Sequence, residues 1–236
     1  MPQIVHTDYY SHILGMSLKV EVTGHFGYPV LMFPTSQGQY TQNHDFKLNE
    51  SVSWFVEQGI IKLYNIETID KWSFYDKNIH PAERIRNYEK WVQFIRQEYI
   101  PYLQRTHQTH RIAVAGASFG GYHAANLAFR FPDLVSHLFC MSGAFDIRNF
   151  MDGYQDDLIY FNSPREFVRN DEAWKYKHMH IVLSTSDQDI CLKQTREMAG
   201  ILEGKGINLW YDERKWINHD WPLWRMVFPM FVGRLF

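Results

Sequence analysis

The stretch RIAVAGASFGGYHAANLAFRFPD, Arg111 to Asp133, constrains the fold more than any other part of the chain. An apolar run of strand length ends in small residues, a serine stands between glycines, and a helical stripe follows at once until Pro132 stops it. A strand apolar on both faces belongs inside a parallel sheet. To pass straight into a helix it must turn sharply, and Gly116 and Gly120 remove the side chains that would collide in that turn, leaving Ser118 at its apex. The backbone N–H of Phe119, at the start of the helix, would then face an anion forming beside Ser118. The bland alternative is a small-residue turn with an idle hydroxyl. The strand before and helix after are the context the G-x-S-x-G pattern requires, and they favour a nucleophile.

Elsewhere, apolar runs of strand length alternate with segments of helical period. That alternation predicts an α/β fold, a mostly parallel central sheet with helices on both faces. MSLKVEVTGHFGYPVLMFPTSQG reads as a strand, a glycine-containing turn and a second strand, Val30 to Phe33, which makes an antiparallel N-terminal edge feeding the sheet. A helix is expected from Ser51 to Gln58, ended by Gly59, and a strand from Ile60 to Ile66. HPAERIRNYEKWVQFIRQEYIPYL carries one apolar stripe at helical spacing. LVSHLFCMS, HMHIVLS and INLWY complete the strands, DERKWIN reads as a polar loop, and WPLWRMVFPMFVGRLF as a closing helix. The 236 residues suit a single domain, residues 1–236, with a long irregular stretch at 147–173 that reads as a small cap or a functional loop.

Composition narrows the partners. The net charge is −2 and no Lys/Arg run stands out, so neither nucleic acid nor an anionic membrane is an expected partner. No apolar stretch approaches bilayer length, and the N-terminal residues do not read as a signal peptide. Cys140 and Cys191 are the two cysteines, too few for a disulfide scaffold, which points to the cytoplasm. Exposed aromatics would make a homo-oligomer unsurprising.

A serine hydroxyl needs a base. Of the 12 histidines, His219 stands apart, because it follows the last strand and precedes the last helix, at the sheet edge where the nucleophile emerges. His178 and His180 lack further metal ligands, and His123 reads as a packed or surface residue. Asp187 and Asp189 both lie at the carboxyl end of HMHIVLS; one could orient the imidazole while the other caps the next helix. Asp146 is a weaker third candidate.

These residues resemble the α/β-hydrolase esterases of the group that includes feruloyl and acetyl-xylan esterases, S-formylglutathione hydrolases and mycolyltransferases of the antigen 85 type. The resemblance runs over nearly the whole chain and rests on GASFGG, on DICLKQTREMAGILEGKGI, and above all on HDWPLW, where His219, Trp221 and Trp224 match an H-x-W-x-x-W pattern. It implies an α/β-hydrolase fold. A G-x-x-D setting for the acid, with Ser186 in place of Gly, favours Asp189 over Asp187. The second oxyanion donor falls by register on the N–H of Ser36, in FPTSQG, where many relatives carry His-Gly or Asp-Gly.

The expected activity is serine carboxylester hydrolysis of short-chain, aryl or sugar esters, with Ser118, His219 and Asp189 or Asp187 as the triad, Phe119 and Ser36 as oxyanion donors, and no metal or cofactor. Trp221, Tyr160 and Trp72 are candidates to contact substrate, as are Phe74, Tyr75, Tyr154 and Phe161 at the mouth. An acyltransferase or thioesterase would use the same triad, and a non-catalytic binding protein could keep the fold.

Overall fold

A computed structural model describes residues 2–235. In chain order the elements are β1 (Ile4–Ser11), β2 (Met16–Thr23), β3 (Tyr28–Phe33), the short helices α1 (Gln42–Asp45), α2 (Leu48–Ser51) and α3 (Ser53–Glu57), and β4 (Ile61–Ile66). Then come α4 (Pro81–Phe94), α5 (Ile100–His107), β5 (Ile112–Ala117), α6 (Phe119–Arg130) and β6 (Val135–Met141). The chain ends with α7 (Asp157–Phe161), α8 (Pro164–Asn170), β7 (His180–Gln188), α9 (Leu192–Gly204), β8 (Leu209–Asn218) and α10 (Trp221–Val232).

The strands form one sheet in the order β1-β2-β4-β3-β5-β6-β7-β8. β1 and β2 are antiparallel and every pairing from β4 to β8 is parallel, so the expected architecture and its antiparallel edge hold. The pairing at that edge differs in detail. β2 pairs with β1 and β4 rather than with β3, because the connection crosses the start of β4. There a Cβ on Gly27 (φ +123) would lie 2.5 Å from the Ile61 backbone, and only glycine fits.

Side-chain alternation builds two cores. Leu31 and Phe33 of β3, Val114 of β5 and Leu138 of β6 face α4, α5, α6 and α9. Val30 and Met32, Ala113, Ala115 and Ala117, and Phe139 face α2, α3 and α10. The small alanines of β5 leave room for Trp224, Phe228 and Phe231 of α10. Each such fully buried large side chain contributes roughly 1.5–3 kcal/mol.

Three local readings change. The expected 51–58 helix is the end of α2 followed by α3, separated at Val52 (φ −111). The helix from Pro81 runs on to His107 through a π turn at Ile95–Tyr99. That wider turn immediately precedes Pro101, which has no N–H to donate and whose ring would crowd an α-helical carbonyl. The polar stretch 212–218 is strand, not loop, since β8 is the outermost strand and its charges lie along the open edge. Arg196–Glu213 and Lys215–Glu213 pair there.

Within 147–173, α7 packs on α4, and α8 on α6 and α9. Asn162, fully buried, joins them by donating to Glu89 Oε2 (3.0 Å) and accepting from Asn126 (2.8 Å) and Arg130 (2.7 Å). Among the described residues no helix is long and apolar enough to cross a membrane.

Candidate active site

Ser118 sits between β5 and α6 at φ 55°, ψ −121°, a conformation non-glycine residues rarely adopt and one that persists only when its surroundings enforce it. Its N–H donates to Met141 O (2.8 Å) and its carbonyl accepts from Tyr122 N (3.1 Å). The neighbouring glycines are needed for space. A Cβ on Gly116 would run into the Gly120 carbonyl, and a Cβ on Gly120 would sit 2.5 Å from the carbonyl oxygens of Phe33 and Pro34. The second contact lays the loop after β3 directly against the turn that carries Ser118.

His219 lies between the end of β8 and α10, whose first N–H groups are held by Asp220 at the N-cap (Asp220 Oδ1 to Trp221 N, 2.8 Å). Its ring is fixed on three sides. Nε2 is 2.9 Å from Ser118 Oγ, Nδ1 is 2.7 Å from Asp189 Oδ1, and the Trp224 ring meets it edge-on at 5.2 Å. A carboxylate only accepts, so Nδ1 carries the proton and Nε2 is left to accept from the serine.

Asp189 is the acid that meets His219. Its Oδ1 also takes the N–H of Cys191 (2.7 Å), in the turn just before α9, whose N-cap Cys191 makes no side-chain cap bond, so neither aspartate caps that helix. Burial alone would raise its pKa. The bonds from His219, Ser142 and the Cys191 N–H outweigh that and hold it below the usual carboxylate value. The Ser142 hydroxyl that acts on this carboxylate is itself held by Trp224 Nε1 at 3.0 Å. Asp187 points elsewhere. It accepts the N–H of Trp216 (2.8 Å) in the bulge where β8 breaks register, and faces Lys215. Asp146 is bound by Arg148 and Arg165.

Asp189, Cys191 and His219 could geometrically offer atoms to a cation, all within 4.8 Å of one another. Burial pushes the Cys191 thiol up to about 12, so it is a poor thiolate ligand at neutral pH. The remaining pair is already committed to the hydrogen-bonded chain.

Around the turn, the amides divide into used and unused. Thr35 N–H donates to Gln42 Oε1 (2.8 Å) and Gln37 N–H to Asp70 Oδ2 (3.1 Å). Neither Ser36 N–H, between them, nor Phe119 N–H has an acceptor among the described residues. Tyr75 and Phe150 pack on the Phe119 ring at 5.9 and 5.2 Å, and burial pushes the Tyr75 phenol up while the Ser36 hydroxyl beside it acts the other way.

The three aromatic candidates fare differently. Trp72 is half exposed beside a cavity of about 90 Å³ that also touches Gln37, Gly38 and Asp70. Trp221 is 8% exposed, stacked on Phe46 at 4.7 Å and packed in the α10 core. Tyr160 lies beside Phe129, Arg130 and Phe131 at the far end of α6, about 18 Å of helix from Ser118. Phe74 is buried, Tyr154 binds Asp156, and Phe161 is exposed beside Tyr160. Sequence reasoning missed Phe150, Ser142 and the partnership of Asp70 with Gln37. Their neighbours are distant in sequence, so no local pattern marks them.

Known structures share this architecture. A ferulic acid esterase superposes over 100% of both chains with a TM-score of 0.79 at 16% identity. An S-formylglutathione hydrolase from Staphylococcus aureus superposes over 100% of this chain and 96% of its own with a TM-score of 0.77 at 13% identity. A ferulic acid esterase from Anaeromyces mucronatus does so over 98% and 89%, TM-score 0.72, at 12% identity. At such identities the likeness is one of fold, here the α/β-hydrolase fold. No curated protein matches the sequence. Family assignment comes from the sequence itself, since residues 27–233 match the family described as "Putative esterase", and the chain belongs to that family of carboxylic ester hydrolases.

Proposed function

We propose that the chain is a serine carboxylesterase acting on small-molecule esters. The observation that carries this reading is the unbroken chain Asp189–His219–Ser118, with separations of 2.7 and 2.9 Å, at the carboxyl ends of the strands. Ser118 Oγ attacks the ester carbonyl as His219 Nε2 takes its proton. The carbonyl electron pair moves onto oxygen, where Phe119 N–H and Ser36 N–H receive the negative charge. Asp189 keeps the imidazole in the required tautomer and stabilises its cation. Collapse expels the alcohol, protonated by His219, and leaves an acyl-serine. Water, deprotonated by His219, then attacks that acyl group and frees acid and Ser118, so ester and water alone balance the reaction.

Tyr75 and Phe150, partly exposed rings packed against the residue that follows Ser118, support aryl esters as substrates. Two of the superposing structures are named as ferulic acid esterases, which supports the same class. The test is hydrolysis of p-nitrophenyl acetate, butyrate and octanoate and of a methyl hydroxycinnamate by wild type and Ser118→Ala, with mass spectrometry after a fluorophosphonate probe. A probe adduct on Ser118 and loss of turnover in the variant are expected. A folded wild type that neither turns over an ester nor takes the probe refutes the reading.

A further inference from the structure

A second His–Asp pair lies under the site, and the mechanism above does not use it. His123 Nε2 is 3.0 Å from Asp70 Oδ1, with both side chains at most 1% exposed. Burying two such groups is costly unless each polar atom is occupied, and here each is. Asp70 Oδ2 accepts the Gln37 N–H at 3.1 Å. His123 Nδ1 is 3.1 Å from the Tyr88 hydroxyl, which in turn accepts from Asn126 Nδ2 at 3.3 Å. With Asp70 only accepting, His123 Nε2 donates, and Nδ1 receives the Tyr88 proton.

The three elements tied together are the ones that matter for an oxyanion. His123 is on α6, the helix that opens with Phe119, and its ring meets the Phe119 ring edge-on at 4.9 Å. Gln37 follows Ser36 directly. Asp70 comes from the turn after β4. Gln37 also has φ +55°, left-handed backbone that a non-glycine residue holds only when something restrains it. On the other side, Thr35 N–H and Oγ1 are both held by Gln42 Oε1. Ser36 N–H is therefore the free amide between two pinned ones.

We infer that Asp70 and His123 are positioning residues that fix the Ser36 N–H relative to α6, setting the spacing of the two donors that receive the developing oxyanion. The inference rests on the esterase reading. Its effect falls on the transition state, because a ground-state carbonyl demands less of the donors than the oxyanion does.

The experiment compares wild type, Asp70→Asn and His123→Gln, with thermal melting to establish that each is folded. Turnover of a p-nitrophenyl ester is measured alongside affinity for an aryl trifluoromethyl ketone, which Ser118 converts to an oxyanion-bearing hemiketal. For Asp70→Asn, kcat should fall about 10- to 100-fold, ketone affinity should weaken by a similar factor, and KM should change by less than about threefold. A folded variant that keeps wild-type kcat and ketone affinity overturns the inference, whatever its melting temperature, since that is the signature of a purely structural pair. If neither core variant folds, Tyr88→Phe serves instead. It should lower kcat and ketone affinity together by a smaller factor, and unchanged values overturn the inference. Wild-type turnover abolished by Ser118→Ala keeps the two questions apart. A wild type with no esterase activity removes the esterase reading and this inference with it.

Discussion

Among the described residues there are two His–Asp pairs built from the same chemical groups at nearly the same separation, His219–Asp189 at 2.7 Å and His123–Asp70 at 3.0 Å. What separates them is the second imidazole nitrogen. In His219 it meets the hydroxyl of Ser118 at a partly open position, with the His side chain 14% exposed. In His123 it meets the phenol of Tyr88 and the pair is sealed. A proton can be exchanged with a reacting molecule only in the first. The second can do no more than hold its neighbours in place. A His–Asp pair is therefore not a catalytic signature by itself, and the group on the far side of the ring decides its role.

The largest expected effect breaks the first pair at its nucleophile or base. Ser118→Ala and His219→Ala should each lower kcat by about 10⁵-fold or more while leaving melting nearly unchanged, because neither residue fills core space. His123→Ala should combine a smaller loss of turnover, of the size expected for the positioning pair, with a clear loss of stability from a buried cavity and an unpaired Asp70 carboxylate. Melting curves and p-nitrophenyl acetate turnover on the same preparations separate the two cases.

Next in size is the choice of acid. Asp189→Asn keeps the shape but can present an N–H to His219 Nδ1, favouring the wrong tautomer, and should cost about 10³- to 10⁴-fold in kcat. Asp187→Asn weakens the acceptor for the Trp216 N–H and removes an exposed ion pair with Lys215, and should leave kcat within about threefold of wild type. Reversal of that order would reassign the acid to Asp187.

These contrasts also mark what the chain declares locally. Ser118 and its glycines were legible because the constraint is local: one strand, one turn and one helix, each recognisable from neighbouring residues. His219 was legible for a related reason, standing at the junction of the last strand and a capped helix. The acid was not, since Asp187 and Asp189 have the same parity along a strand. The outcome depends on β7 ending at Gln188 and on a bulge in β8 that engages Asp187. The charged 212–218 segment read as loop because an edge strand and a loop have similar polarity. The surroundings of Tyr160 and Trp221 were not legible for another reason. Whether an aromatic ring lines an opening or fills a core depends on neighbours far away in sequence, here Phe129 and Arg130 for Tyr160 and Phe46 for Trp221.

A third histidine, half-buried in β6, sharpens the comparison by having no carboxylate. His137 stacks on His180 at 4.6 Å and has Ser136 Oγ at 2.9 Å. Burial, with the charge of His180 adding to it, lowers its pKa from the usual 6.5 to about 4. The unfolded chain therefore binds a proton more readily between those values, and stability falls as pH drops from 6.5 towards 4, by at most about 3 kcal/mol. Glu21, whose carboxyl burial pushes up, works in the opposite direction over part of the same range. The informative quantity is thus the difference between wild type and His137→Gln. Urea unfolding at pH 7.5 and pH 5 should show a flatter dependence in the variant, and parallel dependences would contradict the assignment.

The smallest effect tests how firmly the first pair is supported from behind. Trp224 touches His219 with its ring and Ser142 with its Nε1–H, and the Ser142 hydroxyl acts in turn on the Asp189 carboxylate. Trp224→Phe keeps an aromatic face near the imidazole but removes the donor that orients the Ser142 hydroxyl. One neutral hydrogen bond is worth about 1 kcal/mol, so kcat should fall several-fold, with KM for p-nitrophenyl acetate little changed. Ser142→Ala should produce a loss of similar size, and the double variant should cost less than the product of the two, because both single changes remove the same link. Fully multiplicative losses would mean that Trp224 acts on His219 through its ring alone. The support behind the acid would then be independent of the H-x-W-x-x-W pattern.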